Sequence, residues 1–367
     1  MIRFVPAAAA LVFLGGPSLT RPAEVVRIPT ARFEAGPALA WNALIWTEKA
    51  KDGSVSARAA VGGRIRTIFR AAKPAVPPEA PASPGYNVSV LQHAWAAASR
   101  TRVAVLRSVA LVYVPKCRPA CGAPTVLRPF FAELWVGSPQ GGLHRVAGRR
   151  PVFGPGCTNV LPTSVDVDGA DVLDSELTET CDGMEPVPRG SRVVLRRGRA
   201  ATRTVVTLPR RSEEVALAGR FIGWRDANEA VAVYDLRRRR VAYRVQPVVL
   251  GFDLQADGTS AIVGEQAVAW ASPRKPEPHR LRGGAYGGYV RIAGGRIAFA
   301  SQVTNGRTWR TSVALVDLRN RLTTLAAYQG SFPSSASVTY VDFDGRSVAF
   351  ALERYPRGVV SLYRLAA

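Results

Sequence analysis

The chain has 367 residues and a formal net charge of +22, from 49 Lys+Arg against 27 Asp+Glu. A hydrophobic content of 47% excludes a mainly disordered chain, and the length exceeds what one small core needs. Thirty-three glycines and 27 prolines favour many turns and short elements over long helices.

The first 22 residues read as a signal peptide. Arg3 precedes the apolar run Phe4–Leu14, and Gly15, Gly16, Pro17 and Ser18 follow. Gly16 and Ser18 are both small enough for the cleavage position, so the exact site stays open. The run is too short for a membrane-spanning helix, and no later stretch is long and apolar enough to be one. The expected location is therefore periplasmic or extracellular.

Residues 23–367 read as one domain of short alternating strands. Glu24–Pro29 is strand-like, and Pro29 suits a sheet edge. Ala43–Trp46 is the second strand of a first repeat. A proline-rich insertion follows near 73–85. Val103–Val105 and Asp171–Leu173 mark two more second strands, with insertions near 115–129, 148–162 and 177–190. The repeat is clearest later, where Val215–Trp224, Val290–Phe299 and Val341–Phe350 each read as strand, tight Gly turn, strand, aromatic. Third strands follow the first two of these hairpins at Ala230–Leu236 and Ser312–Leu318, and fourth strands at Arg240–Val245 and Arg321–Ala326. Ala261–Val263 supplies one further second strand.

Four short antiparallel strands repeated at roughly 40–50 residues predict an all-β propeller. Seven blades are expected, with six or eight as alternatives. The last unit, Val338–Phe343, Ser347–Leu352 and Val359–Leu365, has only three strands. Glu24–Pro29 is predicted to supply the fourth and close the ring.

The segments Val233-Tyr234-Asp235-Leu236 and Val316-Asp317-Leu318, with the turns Phe343-Asp344-Gly345 and Ala256-Asp257-Gly258, resemble the TolB-like and WD-type propellers exported by bacteria. The resemblance spans most of residues 23–367. It implies the fold, export and partner binding, and it carries no functional residue across.

An even number of cysteines in an exported chain suggests disulfides, expected as Cys117–Cys121 and Cys157–Cys181. Zinc is the competing reading, but no His lies near either pair. Asp166, Asp168, Asp171, Asp174, Glu176, Glu179, Asp182 and Glu185 form an acidic island that could hold calcium. The simpler reading puts Asp168 and Asp344 in turns, and Asp166 and Asp342 on inner strands, bonding between blades. His93, His144 and His279 stand alone, and no nucleophile elbow or phosphate loop occurs. Catalytic, metal and cofactor residues are therefore assigned as none.

The basic excess is almost entirely arginine, since only Lys49, Lys51, Lys73, Lys116 and Lys275 are lysines. The run Arg237–Arg240 reads as a solvated turn. Such a field attracts anions non-specifically. No aromatic residues interleave the arginine run, so no specific nucleic-acid partner is expected. The seven tryptophans are spread along the repeats, which suits packing between blades.

The function expected is a monomeric, exported, non-catalytic platform. It would bind a protein or an acidic envelope polymer through its loop-decorated end, steered by arginine charge. One alternative is a periplasmic or extracellular glycan hydrolase or lyase with carboxylates in the central channel. A second is a calcium-dependent adhesion module.

Overall fold

Four-stranded antiparallel sheets follow one another along the chain, seven in all. The computed structural model describes residues 23–80, 84–116, 125–148, 153, 156–180, 187–197, 201–226, 228–246, 249–264, 267–281 and 289–367. Strand β1 (Ala23–Pro29) comes first, and a single 3-10 turn (Thr30–Arg32) leads from it into blade 1. Blade 1 holds β2 (Phe33–Ala40), β3 (Ala43–Lys49), β4 (Val55–Val61) and β5 (Arg64–Ala71). Blade 2 holds β6 (Tyr86–Ala98), β7 (Val103–Pro115), β8 (Val126–Ser138) and β9 (Gly141–Ala147). Blade 3 holds β10 (Thr158–Asp168), β11 (Asp171–Thr180), β12 (Pro188–Arg197) and β13 (Ala201–Leu208). Blade 4 holds β14 (Ser212–Ala218), β15 (Phe221–Asp226), β16 (Val231–Asp235) and β17 (Arg240–Val245). Blade 5 holds β18 (Gly251–Leu254), β19 (Ser260–Val263), β20 (Val268–Ser272) and β21 (Lys275–Arg280). Blade 6 holds β22 (Val290–Ala293), β23 (Arg296–Asn305), β24 (Thr308–Asp317) and β25 (Leu322–Ser331).

Blade 7 is β26 (Ser335–Phe343), β27 (Ser347–Tyr355) and β28 (Val359–Ala366), completed by β1. Val26 to Pro29 run antiparallel to Leu362 to Val359, so the N-terminal strand closes the ring. This is the closure and the seven-blade count expected from the repeats.

The core is divided into layers between neighbouring sheets rather than gathered in one place. Ala38, Ile45 and Val55 of blade 1 meet Ala94 and Val105 of blade 2. Phe252 and Ile262 of blade 5 meet Val231 and Val233 of blade 4. Leu39 and Trp46 of blade 1 meet Ala351 and Leu362 of blade 7. Each sheet therefore buries both faces near the axis, which is why β19 and most of β3 are buried at consecutive positions.

Blades 2 and 3 depart from the expected loop insertions. Their strands are simply longer: β6, β7 and β8 have 13 residues each, against 6 in β15. Residues 126–129, 158–162, 177–180 and 188–190 are strand, not loop. Alternation continues past Val105, with Val109, Leu111 and Tyr113 buried beside Val90 and Phe130. Blade 2 thus overhangs the ring by roughly 20 Å with a small apolar core of its own. Residues 81–83, 117–124, 149–152, 154–155 and 181–186, which include the tips of these insertions, lie outside the described residues, as does the proposed signal peptide.

Tight sheet stacking makes small residues obligatory at some contacts. A Cβ on Gly223 in β15 would lie 2.6 Å from Phe252 Cε2 of blade 5. Gly223→Ala is expected to lower unfolding free energy by about 1–3 kcal/mol through overpacking, measured by urea denaturation.

Candidate functional site

The meander gives the ring two unlike ends. Turns joining first to second and third to fourth strands lie at one end, here the turn end. Connections between second and third strands, and between blades, lie at the other, the loop end. Inner strands β2, β6, β10, β14, β18, β22 and β26 line the axis.

Three aspartates on these inner strands bind the next blade. Leu39 N–H of blade 1 donates to Asp342 Oδ2 of blade 7 at 2.6 Å. Leu217 N–H of blade 4 donates to Asp166 Oδ2 of blade 3 at 2.6 Å. Ile292 N–H of blade 6 donates to Asp253 Oδ2 of blade 5 at 2.8 Å. Arg291 Nε of blade 6 donates to Asp342 Oδ1 at 3.1 Å, so Asp342 joins blades 6, 7 and 1. One turn further out, Asp168 Oδ2 accepts from Gly219 N–H at 2.6 Å. Asp166 and Asp342 therefore bond between blades, as their place in the repeat predicts.

Asp253, Glu214 and Arg291 are channel groups that the sequence reading missed. Asp253 had a signal: Phe252-Asp253-Leu254 repeats the apolar-Asp-apolar pattern of Val165-Asp166-Val167 and Val341-Asp342-Phe343. The four carboxyl side chains surround one guanidinium. Burial drives Asp253 up to about 7 and Asp166 up to about 6, with Arg291 opposing in both cases. Burial likewise raises Asp342. It lifts Glu214 to about 7 against the pull of Arg225, whose Nε lies 3.4 Å from Glu214 Oε2. Burial works against the charge on Arg291, but Asp253, Asp342, Asp166 and Glu214 together hold it protonated above its ordinary value. These groups are part exposed to the lumen and otherwise surrounded by protein, so water screens them less than at an open surface.

A cavity of about 410 Å³ opens from this cluster to the turn end, lined by Asp166, Asp253, Arg291 and Asp342 at its base. Its rim carries Trp41, Arg100 and Arg346. Trp41 occupies the β2–β3 turn with φ of 43°, where comparable turns use Gly169 (φ 56°), Gly219 (φ 56°) and Gly294 (φ 57°). A bulky residue in this region stores about 1–3 kcal/mol of strain. The residue is 44% exposed. Arg100 lies 3.6 Å and Arg346 5.4 Å from its ring centroid. This corrects the expectation that all tryptophans pack between blades: Trp46, Trp224 and Trp309 do, whereas Trp41 and Trp95 are exposed.

The acidic island of blade 3 disperses across the sheet. Asp174 accepts from Arg196 Nε and Nη2 at 2.7 and 3.0 Å. Glu176 accepts from Arg192 Nε and Arg196 Nη2, both at 2.6 Å. Asp171 faces Arg197 at 3.3 Å, and the charge of Arg128 acts on Glu179. Asp182 and Glu185 lie outside the described residues. Among the described residues no group of three His, Cys, Asp or Glu is placed to hold a metal ion. His93 Nδ1 sits 2.7 Å from Glu34 Oε2, a pair 59 positions apart that no local spacing reveals. His279 stacks on Trp270 at 4.5 Å. Leu236–Arg239 forms a turn and Arg240 begins β17, so the arginine run is the solvated turn expected of it. Cys157 takes part in a disulfide. Cys117, Cys121 and Cys181 lie outside the described residues. Among the described residues no helix is long and apolar enough to cross a membrane.

No protein-family model matches the chain. No curated protein matches it either. Among solved structures, the Neurospora crassa Pan2 WD40 domain is similar at a TM-score of 0.51 and 9% identity, over 94% of this chain and 95% of that one. At that identity the likeness concerns the fold, a WD40-type propeller, and nothing finer.

The channel carboxyls make stability depend on pH with a definite sign. Asp253 rises from an ordinary 3.8 to about 7 on folding, so the folded state holds its proton more tightly. Its contribution is fully present below pH ~4 and is lost as pH rises through ~7. Asn keeps an oxygen for the Ile292 amide and cannot ionise. Asp253→Asn is therefore expected to gain stability relative to the parent between pH 4.5 and 7.5, read from paired urea titrations.

Proposed function

We propose that this chain is an exported, non-catalytic binding platform whose partner is a protein or an envelope polymer seated on the loop end. One observation carries the reading. Leu127, Val187, Leu250, Val303, Phe332 and Tyr355 are exposed, from 40% to 65%, and the topology places them at the loop end, while Trp41, Ile65, Trp95, Val241 and Leu322 are exposed toward the turn end. The loop-end residues come from blades 2, 3, 6 and 7 and the link between blades 4 and 5. The four most exposed of these side chains, Tyr355, Val303, Leu127 and Val187, are at the loop end, and a group of exposed large apolar side chains on a rigid ring is the usual mark of an interaction surface. The overhang of blade 2 raises part of that surface above the ring. A propeller commonly serves as such a platform.

The apolar character changes the mechanism expected from charge alone. Arginine steering would speed encounter, while apolar contact would supply affinity that salt does not remove. Export through residues 1–22, kinship with TolB-like proteins, a monomeric state and the pairings Cys117–Cys121 and Cys157–Cys181 belong to the same proposal. Peptide mapping without reduction is expected to find both pairings, with no titratable thiol in the denatured protein.

The test is co-sedimentation of the mature protein with the envelope fraction of its source cells across a salt series. Binding is expected to saturate and to persist at about 1 M salt, where the screening length is near 3 Å. Leu127→Asp with Phe332→Asp should weaken it at least about ten-fold at unchanged melting temperature. Binding that vanishes with salt, or that ignores these substitutions, would overturn the reading.

A glycan hydrolase remains as a second reading because one observation favours it: Asp166 and Asp253 share a cavity wall and ionise near neutrality. Against it, each already holds a backbone amide of the next blade. Reducing-sugar release from envelope glycans that Asp253→Asn abolishes would establish the enzyme.

A further inference from the structure

The cavity at the turn end lies opposite the surface assigned above and does not depend on that assignment. Its base is mainly acidic, and its rim pairs two arginines with two aspartates. At the base, Asp166, Asp253 and Asp342 face a single guanidinium, Arg291. Asp342 already serves Leu39 N–H, Arg291 and Phe343 N–H. Asp166 accepts from the amides of Leu217 and Val167 and Asp253 from those of Ile292 and Leu254, and an ionised carboxyl has about four lone-pair positions. The base therefore keeps acceptor capacity and a deficit of positive charge. Burial raises the affinity of these carboxyls for a proton, as it does when no further cation is present.

The rim carries both signs, Arg100 and Arg346 together with Asp168 and Asp344. Asp168 accepts from Gly219 N–H, and Asp344 accepts from Arg346 N–H and Ser347 N–H at 2.8 and 2.7 Å, so both aspartates are held in their turns. Arg100 and Arg346 are exposed, and among the described residues neither guanidinium has a carboxylate partner. Both instead flank the exposed Trp41 ring. Two unpaired guanidiniums beside a flat apolar surface form a carboxylate clamp with an aliphatic rest.

Rim and base are separated by two residues of strand, the step from Leu39 to Trp41, or roughly 7 Å. We propose that the cavity binds a lysine bearing a free α-carboxylate, its ammonium on Asp166 and Asp253, its carboxylate between Arg100 and Arg346, and its methylenes against Trp41. An ammonium suits this base better than a guanidinium. It is a compact charge with three rotatable donors, whereas a planar fork needs one carboxylate presented side-on. A polyanion such as nucleic acid is disfavoured because its charges would meet the aspartates. The same chemistry is offered by free lysine and by a peptide chain ending in lysine.

Calorimetry on the mature protein tests this with four probes: free L-lysine, the peptide Gly-Ala-Ala-Lys with a free C-terminus, its C-terminal amide, and its Nε-acetyl form. The free-acid peptide should bind, and both modified peptides should bind at least about ten-fold more weakly, since each loses one charge-assisted contact. Binding of free lysine as tight as the peptide would assign the site to an amino acid, and binding of the peptide alone to a chain end. Trp41→Gly relieves a strained turn, so its melting temperature should hold or rise while binding is lost. Arg346→Gln should lose discrimination between acid and amide. Equal binding of acid and amide, or no heat from any lysine probe at millimolar concentration, would overturn the proposal. Loop-end binding to the envelope fraction would survive either result, so the two failures are distinguishable.

Discussion

The ring holds because carboxylates on inner strands reach sideways to the backbone of the next blade. A propeller needs this more than most folds. Its sheets meet face to face through apolar layers, and such layers resist separation but set register only weakly. A buried hydrogen bond from a fixed amide to a charged oxygen does set it. Asp342 shows the consequence most fully. It lies on the last blade, binds the amide of Leu39 on the first, and takes Arg291 from the sixth. The same residue therefore fixes the point where the chain's two ends must find each other through β1 and β28.

These carboxylates also explain the unusual electrostatics of the axis. They sit where water is scarce, and repulsion among them is balanced by one arginine. Elsewhere the acids are hidden by a different device. Glu48 takes Trp46 Nε1 and Arg32, Glu133 takes Arg107 and Arg145, and Asp174 and Glu176 share Arg196. All four are buried within their sheets. Removing one partner from such a pair is costly even where the pair itself adds little.

Much of this architecture was legible from the sequence. The Gly turns and alternating runs of Val215–Trp224, Val290–Phe299 and Val341–Phe350 mark the hairpins, and three strands at the C-terminus require a fourth from elsewhere. The blade count follows, as does the place of Asp166 and Asp342. The long strands of blade 2 were not legible as such. Tyr113 and Phe130 alternate correctly, but the prolines and cysteines nearby signal a loop, and local turn chemistry outweighed the period. The cavity rim was hidden for another reason. Trp41 stands in a turn position that glycine usually fills, so the residue breaks the local rule by which such turns are recognised. Arg100 and Arg346 come from hairpins of different blades, and no spacing along the chain brings them to Trp41.

Burial of the acids changes what the net charge means. The value of +22 counts carboxylates that are buried inside sheets, among them Glu48, Glu133, Asp174 and Glu176. The surface met by a partner is more basic than the sequence sum, because few arginines are buried with them: Arg107 and Arg128 are the buried ones among the described residues. A field of this kind draws any polyanion to either end and selects none. Selectivity must then come from features that charge does not supply. At the loop end these are exposed apolar side chains raised by the overhang of blade 2. At the turn end they are a cavity with an acidic base and a rim where Arg100 and Arg346 stand on either side of Trp41, so a ligand must offer both signs of charge in one arrangement. The arginines bring ligands to the ring, and the local arrangement of carboxylates and apolar groups decides which of them stay.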